Sequence, residues 1–155
     1  MYDQVMDQAI KLSFENISNM RGGPFGALIV KDNAIIATGI NEVIATNDPT
    51  AHATIIAIRN ACKALGSFQL IGCTLYASSE PCPMCLGALF WARPMMVYYG
   101  ASSADAAAID FDDLFMYEQI ALPIQERALP MKQIMREEAL EAFRAWQNHE
   151  SKVSY

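Results

Sequence analysis

The chain has 155 residues, 53% of them hydrophobic, with 11 Lys and Arg against 17 Asp and Glu for a net charge of −6. That length and apolar content predict a single domain, residues 1–155, with a sizeable core. The acidic balance, with no basic cluster to neutralise phosphates, argues against nucleic acid as a partner and favours a small neutral molecule.

No apolar run reaches the roughly 18 residues that a membrane span needs, so no membrane partner is expected. Residues 1–20 hold Asp3, Asp7 and Glu15 and show no basic leader, which predicts no signal peptide and a cytoplasmic location. Met6, Ile10, Phe14 and Ile17 form an apolar stripe that predicts a helix over 3–20. Two apolar runs, 27–30 and 34–37, flank Lys31-Asp32-Asn33 in a hairpin pattern. A polar turn over 46–50 leads to a second helix, 51–65, which Gly66 stops. A strand over 74–78 follows. Pro81 then opens a third helix, 82–92, since a proline is tolerated in a first turn. A strand at 97–99, an Ala-rich loop or short helix at 101–110, a short helix at 112–119, a fifth strand at 131–135 and a helix at 137–148 complete the chain. Helices alternating with strands predict an α/β fold with helices on both faces of a mixed sheet. The first two strands should pair antiparallel and the later ones mostly parallel.

The chemistry concentrates at two places. His52 opens the second helix, and thirty positions later Pro81-Cys82-Pro83-Met84-Cys85 opens the third. Two thiolates three residues apart share a helix face. With one imidazole they make a three-ligand set that leaves a fourth tetrahedral position for water, the catalytic zinc pattern. A lone CxxC is also the pattern of a redox pair or half of a structural zinc site. The structural alternative would draw on Cys62 and Cys73, which stand eleven apart with no second CxxC; both read as small buried apolar residues.

These residues resemble the cytidine deaminase superfamily, the zinc nucleobase deaminases, whose signature is H-x-E followed by P-C-x-x-C. Gly22-Gly23-Pro24-Phe25-Gly26-Ala27, Asn41, Asn47-Asp48-Pro49-Thr50-Ala51-His52 and Ser79-Glu80-Pro81-Cys82 fall in the same order as in that superfamily. Within it the chain is most similar to the bacterial guanine deaminase branch, through Phe111-Asp112-Asp113, Phe115, Tyr117 and a terminal aromatic, Tyr155. The resemblance implies a three-layer α/β/α fold with a five-stranded mixed sheet. It also implies zinc on His52, Cys82 and Cys85, with water in the fourth position. Asn41 would hydrogen-bond a purine base, Phe25 and Trp91 would line its pocket, the Ala51 and Cys82 backbone would help, and Asp113 would read the guanine edge. A homodimer is implied, with a C-terminal segment of about 101–155 exchanged between copies and Asp113 and Tyr155 entering the partner's site. Plainer readings stand beside these: Asn41 as a turn residue, Asp112 or Asp113 as a helix cap, Phe25 and Trp91 as core, and Tyr155 as a loose terminus.

One position departs from the signature. Where the superfamily carries the glutamate that acts as general acid and base, this chain has Thr54. A hydroxyl is neither a base nor a useful acid near neutral pH. Three readings stay open: a change that traps ligand, a catalytically silent purine-binding homologue, or another carboxylate, Glu80 or Asp113, in the missing role. The rival enzyme is a tRNA adenosine deaminase, which shares the metal motif.

Overall fold

The strands β1 (Gly26–Lys31), β2 (Ala34–Ile40), β3 (Cys73–Ser79) and β4 (Met96–Ala101) form one sheet in the order β2-β1-β3-β4 in the computed structural model, which describes residues 2–154. β1 pairs antiparallel with both β2 and β3, and β3 pairs parallel with β4. The β1–β2 turn is tight because Asp32 and Asn33 both take positive φ, 49° and 63°, the twist that suits a two-residue hairpin. The helices are α1 (Tyr2–Asn19), α2 (Val43–Thr46), α3 (Ala53–Leu65), α4 (Pro83–Ala92), α5 (Ser103–Ala107), α6 (Asp113–Ala121) and α7 (Arg136–Gln147). The chain divides into two compact units, Met1–Met116 and Tyr117–Tyr155. No helix among the described residues is long and apolar enough to cross a membrane.

In the first unit, alternate strand residues bury on opposite faces, as the pleat requires. Ala27, Ile29, Leu75 and Ala77 pack with Ala53, Ala57 and Ala61 of α3 and Leu89 and Ala92 of α4. Leu28 and Tyr76 pack on the other face with Ala9 of α1. The α3 alanines recur every four residues, so the helix presents a flat stripe and sits close to the sheet. At Gly39 in β2, an added Cβ would lie 2.3 Å from the Ala53 carbonyl oxygen and 2.5 Å from the Ala57 nitrogen. Gly66, with φ of 60°, ends the helix and donates its N–H to the carbonyls of Cys62 and Lys63.

The helix expected over 3–20 is present, but its buried residues are Ala9, Ser13 and Asn16; of the stripe Met6, Ile10, Phe14 and Ile17, Met6 packs against the core and Phe14 is 66% exposed. The helix lies against Gly26, where a Cβ would come 2.4 Å from the Ala9 carbonyl oxygen. That approach admits small and polar side chains and turns the large apolar ones outward.

The expected fifth strand, 131–135, is not a strand, so the sheet has four among the described residues. Pro130 precedes the segment and has no N–H to give a ladder. Met135, at φ 51° and ψ 42°, ends the extended run in the left-handed region. Elsewhere in the second unit, the turn after α6 is held by Arg127, whose Nε donates to the Leu122 carbonyl at 3.1 Å and Nη2 to that of Ile120 at 3.2 Å.

The register brings Gly26, Ile40, Ala77 and Ala101 to one end of the sheet. α3 and α4 both start there. Gly39→Ala forces α3 off β2 and lowers stability by about 1–3 kcal/mol, which urea denaturation of the two proteins will register as a lower midpoint at unchanged slope.

Candidate metal centre

His52 is the N-cap residue of α3 and Cys82 the N-cap residue of α4, both with extended backbone. Pro83 occupies the first position of α4, and Cys85 follows within the same turn. Neither N-cap side chain caps its own helix, so both are free to face each other across the gap between the two helix starts. His52 Nδ1 lies 3.6 Å from Cys82 Sγ and 3.7 Å from Cys85 Sγ, and all three ligand atoms fall within 4.8 Å of one another. Zinc bonds of about 2.3 Å to sulfur and about 2.0 Å to nitrogen, arranged tetrahedrally, separate N and S by about 3.5 Å. The observed spacing is therefore that of three corners of a zinc tetrahedron. Among the described residues this is the cluster able to hold a metal. Cys62 and Cys73 are free thiols packed in or against the core, which disposes of the structural four-cysteine alternative.

The sulfurs show how the site is poised. Cys82 is drawn down to about 4, first by a hydrogen bond from the Cys85 thiol and next, against its burial, by His52. Cys85 is pushed up, chiefly because it gives that hydrogen bond and then because it is buried, while a hydrogen bond from Thr54 works the other way. His52 is raised by its hydrogen bond with Cys82. Of the two sulfurs, the proton is thus drawn to Cys85 and the negative charge to Cys82.

Beside the ligands lies a cavity at the end of the sheet, lined by Thr54, Phe25, Asn41 and Asp113 among others. Thr54, in the first turn of α3, is 5% exposed. The Asn41 side-chain oxygen accepts from the Val43 N–H at 3.1 Å, which leaves its amide N–H groups for a ligand. Asp113 begins α6, and its carboxyl is raised by burial first and then by the Cys82 charge. It lines the cavity of its own chain.

Phe111, which the sequence marked through its neighbours without assigning it a role, also lines the cavity. It meets Phe25 edge to face at 4.9 Å between ring centroids. Glu80 is on the wall, but its Oε2 accepts from the Ser103 N–H at 2.8 Å. Asp112 serves as a cap, accepting from the Phe115 N–H at 3.1 Å.

The other expected residues fall elsewhere. Ala51 is buried next to His52, and its carbonyl accepts from the Glu42 N–H at 2.9 Å; it is not part of the lining. Trp91 is 62% exposed at the end of α4, and is also not part of it. Tyr155 lies outside the described residues.

A cavity lined by one imidazole and two cysteine sulfurs, all at helix starts, is the mark of zinc-dependent deaminases. The chain belongs to that class: the family model for the cytidine and deoxycytidylate deaminase zinc-binding region matches residues 1–101. Within the class it is 51% identical to the guanine deaminase of Bacillus subtilis over 154 residues, 99% of each chain. The X-ray structure of the Bacillus subtilis guanine deaminase superposes with a TM-score of 0.97, covering 100% of this chain and 99% of that one. A guanine deaminase structure from Nitrosomonas europaea matches at a TM-score of 0.66 and 34% identity, over 70% of this chain and 63% of its own. A tRNA-specific adenosine deaminase of Buchnera aphidicola is 39% identical over 116 residues, 74% of each chain.

Zinc ligands must be deprotonated. Cys82 is drawn down to about 4, whereas Cys85 is pushed up and holds a proton that the metal displaces, and the raised His52 adds to the dependence on pH. Zinc uptake at pH 7 therefore releases protons and its affinity falls as pH drops. Calorimetry of zinc binding in buffers of different ionisation enthalpy will give the proton count, and Cys85→Ser will reduce both that count and the affinity.

Proposed function

We propose that this chain is a zinc-dependent hydrolytic deaminase whose cavity takes guanine and converts it to xanthine and ammonia, at a rate held down by Thr54. The observation that carries the reading is the meeting of the metal ligands with Asn41 and Asp113 in one cavity. The full-length likeness to a guanine deaminase supports it. Guanine presents both hydrogen-bond donors and acceptors. A carboxylate at Asp113 accepts from its N–H groups, and the Asn41 amide donates to an acceptor of the base. The edge-to-face pair of Phe25 and Phe111 provides an apolar wall for its ring.

In the reaction a C2–oxygen bond forms and the C2–amino bond breaks, and the two protons of the water move, one to the ring nitrogen beside C2 and one to the departing amine, which leaves as ammonia. Zinc at this ligand set lowers the pKa of its water toward neutrality. Proton transfer then depends on the chain's own groups. Thr54 can orient a water by hydrogen bonding but cannot accept and return its proton. Of the cavity carboxylates, Glu80 already accepts the Ser103 N–H. Asp113 accepts no hydrogen bond from the described residues, and its carboxyl is raised from its ordinary value by burial and by the Cys82 charge. Residual turnover is therefore assigned to Asp113.

A second reading, a catalytically silent purine-binding homologue, draws on the same threonine and is told apart by ammonia release. The tRNA adenosine deaminase alternative is weaker, since its similarity covers less of the chain and the acidic balance opposes RNA. We further infer a cytoplasmic homodimer. Exposed Phe90 and Trp91 on α4 support a pairing surface. A C-terminal exchange goes with that assembly, but because Phe111 and Asp113 line the cavity of their own chain, it is narrowed from about 101–155 to the part beyond Asp113, which would carry Tyr155 to the partner's site.

Thr54→Glu should raise guanine turnover by about 10²–10⁴, at unchanged zinc content, as followed by xanthine absorbance and ammonia release. Cytosine, cytidine and adenosine serve as competitors. A Thr54→Glu protein that prefers a pyrimidine, or deaminates none of these, sinks the guanine assignment.

A further inference from the structure

Asn16 is a fully buried polar side chain on α1, 0% exposed, and is not part of the cavity lining. Its Nδ2 donates to the Gly23 carbonyl at 2.7 Å and to the Asn41 carbonyl at 2.9 Å. These two acceptors lie on either side of the β1–β2 hairpin. Gly23 precedes Phe25, whose N–H donates to the Gly23 carbonyl at 2.8 Å. Asn41 follows β2, and its N–H donates to the Phe25 carbonyl at 3.1 Å. One amide group therefore fastens both segments that place ligand-facing side chains in the cavity.

Asn41 is held from every other direction as well. Its Oδ1 accepts from Val43, and Gly22 packs so closely that a Cβ there would fall 2.0 Å from that oxygen. What remains of Asn41 for a ligand is its amide N–H pair, aimed by bonds of which Asn16 supplies the one from α1.

We propose that Asn16 is a positioning residue for purine recognition, setting the aim of Asn41 and the depth of Phe25 from outside the cavity. The inference rests on the reading that Asn41 contacts the base. If Asn16 is removed, the buried Asn41 carbonyl loses this donor and the half-buried Gly23 carbonyl keeps only the Phe25 N–H, and the Asn41 segment regains a partner by shifting toward other donors or water. Either movement displaces the Asn41 amide. The zinc ligands, carried on α3 and α4, make no hydrogen bond of their own to Asn16 or Asn41 among the described residues.

The test is guanine affinity, measured by calorimetry on the full-length zinc-loaded chain. The variants are Asn16→Leu, Asn16→Ser, Asn41→Ala, the Asn16→Leu/Asn41→Ala double substitution and, as a core control, Leu70→Ala. Leu70 is 0% exposed and lies before β3, at the end opposite the cavity. Asn16→Leu and Asn41→Ala should each weaken guanine by about tenfold or more, with zinc content unchanged, and the double variant should lose less than the two single losses combined. Leu70→Ala should stay within about twofold of the parent at a comparable loss of melting temperature. If Asn16→Leu does not fold, Asn16→Ser carries the same expectation, since its hydroxyl is too short to reach both carbonyls.

Three results overturn the proposal: unchanged affinity in the Asn16 variant that folds, additive losses in the double variant, or an equal loss in Leu70→Ala. Unchanged affinity in Asn41→Ala overturns instead the purine-reading role of Asn41, and the proposal with it.

Discussion

The approach of α3 to β2 is the constraint on which the site depends. A helix crossing a strand bearing ordinary side chains stands off by the thickness of those side chains. Here Gly39 and the Ala53, Ala57 and Ala61 stripe remove that thickness, and helix backbone meets strand backbone. The start of α3 is thereby fixed to the end of β2, which sets His52 in place. The parallel step from β3 to β4 does the same for Cys82 and Cys85, because the crossover helix α4 must begin where β3 ends. The three ligands converge through sheet topology and close packing, before any metal contributes.

The sequence makes some of this plain and hides the rest, for physical reasons. Metal ligation is read from residue type and short spacing, so His52, Cys82 and Cys85 stand out. Turn chemistry is equally local, and Asp32-Asn33 and Gly66 mark their bends by the backbone angles they tolerate. The face of α1 is different. Apolar periodicity says which side of a helix would bury most area, not which side the sheet can accept, and beside Gly26 it accepts Ala9, Ser13 and Asn16. Large apolar residues such as Phe14 then remain outside. The run 131–135 is apolar enough for a strand, yet a strand exists only with a neighbour, and Pro130 and the left-handed Met135 close off the extended stretch. Trp91 follows the same logic: its place on α4 was legible, but the direction it faces was decided by Leu89 and Ala92 taking the buried side.

The electrostatics of the centre divide labour among groups that look equivalent in sequence. Cys82 and Cys85 share a motif, yet Cys82 is drawn down as the acceptor of the hydrogen bond between them and Cys85 is pushed up as its donor and by burial. Glu80 and Asp113 are both cavity carboxylates, yet one is tied to a backbone N–H and the other is partly desolvated. Thr54 stands in this field as a neutral hydrogen-bonding group. It is compatible with the metal ligands and leaves the negative charge of the site smaller than a glutamate would.

Both N-cap ligands leave their own helices uncapped. A serine or aspartate at those positions would satisfy the free amides of the first turn; His52 and Cys82 turn away to face one another instead. The opening turns of α3 and α4 therefore rely on the centre between them for their order. Amide exchange at residues 53–56 and 84–86 becomes a gauge of metal occupancy: the helix starts tighten together when the centre is filled and loosen together when it is stripped, while the rest of the sheet keeps its protection.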